Sequence, residues 1–169
     1  MAWRLLKTLL FTVCVPGTVA GWIPQWLLAE QARHIVHPIH LSQAVGLLPL
    51  VLGAAVYLWC AWDFAVSGLG TPAPIDAPRV LVVKGLYRFV RNPMYLGVLS
   101  VILGQSIFYG SPVVFIYMLG AWVFFQMFVA FYEEPELRRQ FGAQYEEYCR
   151  RVSRWIPSWP KAAPPYAGR

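Results

Sequence analysis

The residues best suited to chemistry stand in two clusters about forty positions apart. The first is Gly85-Leu86-Tyr87-Arg88-Phe89-Val90-Arg91-Asn92-Pro93-Met94-Tyr95-Leu96-Gly97, a basic and aromatic stretch. The second is Tyr132-Glu133-Glu134-Pro135-Glu136-Leu137, followed by Phe141-Gly142, Tyr145, Tyr148 and Arg154. No Asp, Glu, Lys or Arg lies between Asn92 and Tyr132. A cationic and an anionic cluster therefore bracket one apolar hairpin. If the hairpin crosses a bilayer twice, both clusters meet on the same side. Tyr87, Arg88, Arg91, Asn92, Tyr95, Glu133, Glu134, Tyr145 and Arg154 would then share one depth. Such a mixture suits a zwitterionic, cationic or carboxylate-bearing ligand. Arg or an Asn-capped helix N-terminus holds a carboxylate; Glu holds an ammonium group, and Tyr faces hold an onium ion. Read singly, the arginines also serve as membrane-flank anchors and the glutamates as favourable charges at a helix start.

The elements that position these clusters follow from composition. The chain has 169 residues, 58% hydrophobic and 13% charged, against about 25% charged in a usual soluble domain. Apolar runs near 20 residues suit spanning helices. Spans are expected at about 5–28, 41–62, 93–109 and 113–132. The first starts with Arg4 and Lys7 and runs past Thr18-Val19-Ala20 through Trp22, Ile23, Trp26 and Leu27, which argues against signal-peptide cleavage. Pro16-Gly17 is expected to bend it and Pro49 to kink the second. Tyr57, Trp59 and Trp62 read as an interfacial belt. Asn92-Pro93 reads as a helix cap and first helical position, and Gly110-Ser111-Pro112 as a break. The 63–84 connection, dense in Pro and Gly, forbids regular helix, and Arg79 to Val83 reads as a short extended piece.

After Glu133 the pattern becomes amphipathic. Leu137, Phe141, Tyr145, Tyr148 and Val152 share one helical face, with Glu134–Arg138, Glu146–Arg150 and Glu147–Arg151 as i,i+4 pairs. This predicts an interfacial helix. Residues 1–157 then form a single membrane domain, its site region at 79–97 and 133–157, and 158–169 are expected to be disordered. The fold class expected is an all-α integral membrane protein with four transmembrane helices and a C-terminal amphipathic helix. Of 14 Lys and Arg, only Arg33 falls on the far side, which places both termini and both clusters in the cytoplasm.

The net charge of +6 sits at span flanks, not on a soluble face, so nucleic acid is not an expected partner. Cys14, Cys60 and Cys149 have neither disulfide nor metal spacing. His34, His37 and His40 recur every third residue but lie on the side away from both clusters, and read as a polar loop; no metal site is expected.

The pattern Gly-Leu-Tyr-Arg-x-x-Arg-Asn-Pro-x-Tyr-x-Gly, then Glu-Glu-x-x-Leu-x-x-x-Phe-Gly-x-x-Tyr-x-x-Tyr-x-x-x-Val, resembles the isoprenylcysteine carboxyl methyltransferase and phospholipid methyltransferase family. The resemblance covers about residues 65–157. It implies an integral-membrane enzyme that uses S-adenosylmethionine, with S-adenosylhomocysteine as product. It implies cofactor contacts at Leu81, Val82, Tyr87, Asn92, Pro93, Tyr95, Glu133 and Glu134, with Asn92, Glu134 and Arg91 as the catalytic candidates. Two positions depart from the pattern. Asn92 stands where the better-known enzymes have His, and Val129 near where the prenylcysteine enzymes place an Arg. The partners implied are the lipid bilayer and a lipophilic or small-molecule methyl acceptor. The competing readings are an NADPH-dependent sterol-reductase-like enzyme and a non-catalytic lipid-binding or assembly protein.

Overall fold

The computed structural model describes residues 10, 13–32, 41–67, 81 and 83–159, and these are helical or irregular, with no strand among them. The elements are α1 (Ile23–Ala32), α2 (Leu47–Ser67), α3 (Pro93–Phe108), α4 (Pro112–Phe128), α5 (Glu134–Phe141) and α6 (Ala143–Arg151). A π-helical turn, Gly17–Trp22, leads into α1, and a 3-10 turn, Leu41–Gly46, leads into α2. The histidine row and most of the 63–84 connection lie outside the described residues.

Glycine sets the central crossing. α2 lies against α3 more extensively than any other pair of elements. A Cβ on Gly53 would stand 2.6 Å from the Gly97 carbonyl, and one on Gly97 2.8 Å from the Gly53 carbonyl. One helical turn or two away, a Cβ on Gly104 would stand 2.5 Å from the Leu50 amide nitrogen. Small residues at this spacing let backbones approach without side chains between them, as apolar helix pairs in lipid require. Tyr57 sits in this crossing and is buried, so it does not join the exposed Trp59 and Trp62 in a belt. Pro49 falls in the first turn of α2, where no ladder bond is lost.

The first segment bends its backbone bonding near the expected place. Pro16 precedes the π-helical turn, and the Ile23 N–H reaches Thr18 O five residues back. Pro24 then offers no N–H. Two carbonyls of this turn take side-chain donors instead: Tyr117 Oη donates to Val19 O at 2.8 Å, and Gln105 Nε2 donates to Ala20 O at 2.6 Å. Gln25 donates to Gln105 Oε1 at 3.0 Å. These bonds tie the first segment to α3 and α4 through an otherwise apolar interior.

The break between α3 and α4 is as expected. Gly110 has φ of 59°, a left-handed conformation that glycine adopts at no steric cost. Ser111 caps α4 by accepting from the Val114 N–H at 3.3 Å, and its hydroxyl donates to Gln31.

Two stretches, Gln43–Asp63 and Pro112–Phe141, are helices long and apolar enough to cross a membrane. α3 has 16 residues, about 24 Å at 1.5 Å per residue. Trp22, Trp26, Val51, Leu58, Ile116 and Phe124 stand exposed on the outer surface, an arrangement costly in water and natural against lipid.

The C-terminal part differs from the sequence expectation. The fourth helical run does not stop at Tyr132. It passes through a π-helical turn, Val129–Glu133, and continues to Phe141 as one 30-residue rod. The amphipathic tail is two short helices, because Gly142 at φ 50° and ψ −123° interrupts the ladder. The expected apolar face is nonetheless assembled. Tyr145, Tyr148 and Val152 form a second small core with Val83, and Leu81, Leu137 and Phe141 pack against it. This face covers Val83 and Leu81. Among the expected ion pairs, Glu134–Arg138 and Glu147–Arg151 form, whereas Glu146 takes Arg138 rather than Arg150. Ser158 and Trp159 are ordered against Phe89, through a 2.9 Å bond from the Ser158 N–H to Phe89 O and an edge-on ring contact.

Candidate active site

The two sequence clusters meet at one end of the helices. Gly85 opens the first with φ of 53°, and a Cβ there would overlap Asp63 Oδ2 at the end of α2. The 3-10 turn Gly85–Arg88 follows, then Asn92 at the start of α3. Asn92 occupies the N-cap position, as expected, but its side chain caps nothing. Its Nδ2 instead donates to Arg154 O at 3.1 Å. The Arg91 N–H donates to Ser153 O at 2.9 Å. Residues 153–158 are thus strapped along residues 89–92, and the amide of Asn92 serves that strap.

Glu134 is the electrostatic hub and is 2% exposed. Arg154 grips it with Nε at 2.7 Å from Oε1 and Nη2 at 2.9 Å from Oε2. Arg91 Nη1 lies 3.0 Å from Oε1, and Arg138 Nη2 3.2 Å from Oε2. Three guanidinium groups thus share one buried carboxylate, which offsets the cost of removing it from water. Arg91 also donates to Cys149 Sγ at 2.8 Å. Burial raises the Cys149 thiol above its ordinary pKa, against the opposing pull of Arg91.

Glu133, one residue earlier, is differently placed. Tyr95 Oη donates to its Oε2 at 2.9 Å. No ion pair to Glu133 is found among the described residues. Tyr95 is held by rings, with Phe125 at 4.8 Å between centroids and Trp155 edge-on at 6.3 Å. The Trp155 indole N–H donates to Gln126 Oε1. Tyr87 joins the two sides of the site. Its carbonyl accepts from Tyr148 Oη at 2.8 Å, and its hydroxyl hydrogen-bonds the Cys60 thiol. Burial first, then the neighbouring Cys60, Glu133, Tyr148 and Tyr95, push the Tyr87 phenol well above its ordinary pKa.

Of the sequence candidates, Tyr87, Arg91, Asn92, Pro93, Tyr95, Glu133 and Glu134 are brought into one region. Leu81 lies beside it in the second core, and Val82 lies outside the described residues. Arg91 and Glu134 are spent on each other and on Arg154, so neither presents a free charge. Sequence reasoning passed over Gln126, Trp155 and Asp63. Gln126 had a signal as the one amide in the run from Pro112 to Tyr132, and Asp63 as the first charge after an uncharged run. Trp155 had none, because its importance depends on the strap.

An all-helical chain with apolar membrane-length helices and a carboxylate–aromatic site at their ends defines the class. The particular family follows from comparison. Residues 41–144 match the phospholipid methyltransferase family, and the chain belongs to it. Among curated proteins, it is 36% identical over 78 residues to a probable protein-S-isoprenylcysteine O-methyltransferase of Oryza sativa subsp. indica, across 46% of this chain and 40% of that one. It is 36% identical over 78 residues to protein-S-isoprenylcysteine O-methyltransferase B of Arabidopsis thaliana, across 46% and 39% of the two chains. It is 35% identical over 83 residues to the Schizosaccharomyces pombe protein-S-isoprenylcysteine O-methyltransferase, across 48% and 35%. The matched stretch thus spans less than half of these relatives. No solved structure matches the chain significantly.

Proposed function

We propose that this protein is an integral-membrane methyltransferase that moves a methyl group from S-adenosylmethionine to a lipophilic or small acceptor at the cytoplasmic interface. The observation that carries the reading is the pairing of Glu133 with Tyr95, inside the family match, as a carboxylate with no cation among the described residues, beside an aromatic corner. The donor set fits a cationic methyl donor. A carboxylate and the faces of Tyr95, Phe125 and Trp155 suit an onium centre, whereas the pyrophosphate of NADPH would be repelled by Glu133. When bound, S-adenosylmethionine supplies an already activated methyl group.

The protein's own task is therefore alignment and exclusion of water. Glu133 and Tyr95 hold the cationic donor, and Tyr87, Leu81 and Pro93 line its place. Glu134, Arg91 and Asn92, the catalytic candidates, act in this reading by fixing the strap 153–158 over the site. Trp155 then keeps the Tyr95 hydroxyl on Glu133. The helical membrane domain has spans near 5–28, 41–62, 93–109 and 113–132, with both termini in the cytoplasm. There a water-soluble donor meets a membrane-borne acceptor. Val129 is buried and apolar, near where the resemblance to the eukaryotic prenylcysteine enzymes would place an Arg, which favours an acceptor other than a prenylcysteine carboxylate.

Calorimetric titration of the purified protein in detergent with S-adenosylhomocysteine tests this, with NADPH as control. Saturable heat with S-adenosylhomocysteine alone, and a Tm raised by the ligand, is the expected result. Heat with NADPH alone, or with neither ligand in a folded sample, refutes it.

A further inference from the structure

Three carboxylates at this end of the molecule, Glu134, Glu133 and Asp63, are treated unequally. Glu134 has three arginines and Glu133 has the Tyr95 hydroxyl. Asp63 is different: its Oδ2 is fully enclosed and without a hydrogen-bond partner. Asp63 lies at the end of the Gln43–Asp63 span, with its Oδ2 against the Cα of Gly85, where only glycine fits. The position is not remote from the site. Cys60, one helical turn earlier, feels the charge of Asp63 and bonds the Tyr87 hydroxyl, and Tyr87 in turn neighbours Glu133.

A buried carboxylate that serves only the fold comes with its donors, as Glu134 does here. An enclosed anionic oxygen without one is a place where a donor arrives from outside, and a cation satisfies it best. The nearby guanidinium groups of Arg91, Arg138 and Arg154 are all drawn to Glu134. S-adenosylmethionine carries two cationic groups, a sulfonium and an α-ammonium. The aromatic corner of Tyr95, Phe125 and Trp155 beside Glu133 suits the sulfonium, which donates no hydrogen bond. The ammonium has three N–H donors and suits an orphaned carboxylate.

Resting on the methyltransferase reading above, we propose that Asp63 is a second donor-binding carboxylate, which accepts a hydrogen bond from the α-ammonium group of S-adenosylmethionine and of its product.

The test compares two ligands on the purified protein in detergent. S-adenosylhomocysteine carries the ammonium group; 5′-methylthioadenosine lacks the amino-acid part. Asp63→Asn is expected to weaken S-adenosylhomocysteine at least tenfold and to leave 5′-methylthioadenosine within twofold. Its ligand-free Tm should equal or exceed that of wild type, since an unpaired buried charge has been removed. Asp63→Glu, which keeps the charge but shifts it by one methylene, should show the same selective loss if the Asn variant does not fold. Unchanged S-adenosylhomocysteine affinity overturns the proposal. So does equal weakening of both ligands, or a lowered Tm accompanying the loss. Wild-type protein that binds neither ligand refutes the methyltransferase reading itself; wild-type binding with an unaffected Asp63 variant refutes only this assignment.

Discussion

Adjacent glutamates carry opposite duties, and substitution separates them. Among the described residues Glu133 meets the Tyr95 hydroxyl and no cation, so Glu133→Gln removes a charge on which no described ion pair depends. Its affinity for S-adenosylmethionine, whose sulfonium carries the charge that Glu133 would face, is expected to fall at least tenfold, about 1.4 kcal/mol, with Tm nearly unchanged. Tyr95→Ala should lose binding as well while the chain stays folded. Glu134→Gln is expected to do the reverse in kind. It leaves Arg91, whose side chain is 13% exposed, without its counter-charge. Breaking a buried pair from one side costs about 3–5 kcal/mol. Denaturant unfolding in detergent reads that loss directly, and a Glu134→Gln protein as stable as wild type would show that the hub contributes no fold energy.

At the scale of elements, the α2–α3 crossing and the second core give separate predictions. Gly97→Ala and Gly104→Ala each place a Cβ against backbone that cannot turn aside. Overpacking of that kind costs about 1–3 kcal/mol. Gly120→Ala, with nothing within 4 Å of its Cβ, is the matched control and should be neutral or slightly stabilising by helix propensity. Equal Tm values for the three variants would mean that the helices are free to separate. The second core has an alkaline limit. Tyr145 and Tyr148 both have phenol pKa values raised above the ordinary 10.0, chiefly by burial. A raised folded pKa gives stability that is complete below the unfolded value and lost as pH rises toward the folded one. The Tm should therefore hold to about pH 9 and decline above about pH 10. Tyr145→Phe should make that decline shallower.

At the scale of the molecule, the C-terminal strap closes the structure. Removing residues 160–169 should leave Tm and ligand binding as they are. Removing everything after Val152 takes away Arg154, Trp155 and the Ser158 bond to Phe89, and should lower Tm and abolish S-adenosylhomocysteine binding together. Calorimetry and thermal unfolding of the two truncations decide this. Topology is checked in oriented vesicles. A single cysteine at Ser153, in a background lacking the native three, should react with an impermeant reagent from the cytoplasmic side only, and one at Gly110 only from the opposite side.

The sequence alone determined whatever depends on local pattern. Uncharged runs marked the apolar helices, Gly110-Ser111-Pro112 marked their hairpin, and the i,i+4 and i,i+3 spacing of Leu137, Phe141, Tyr145 and Tyr148 marked one face. The bracketing of an uncharged hairpin by Arg91-Asn92 and Glu133-Glu134 put the site at one end. The motif spacing pointed to the family. Tertiary structure decided the roles. Spacing treats Glu133 and Glu134 as equivalents, because it counts residues and does not record which side of a helix meets Arg91 and Arg154 from two other segments beside its own Arg138. Asn92 has the right type and place for a cap, yet its amide is drawn to Arg154 O, sixty-two residues away. Gly142 reads as one residue of a continuous face until its positive φ divides the helix in two. The importance of Trp155, Gln126 and Asp63 arises only where the strap, the rod and the end of α2 converge, since a side chain's duty is set by the groups around it and those come from remote parts of the chain.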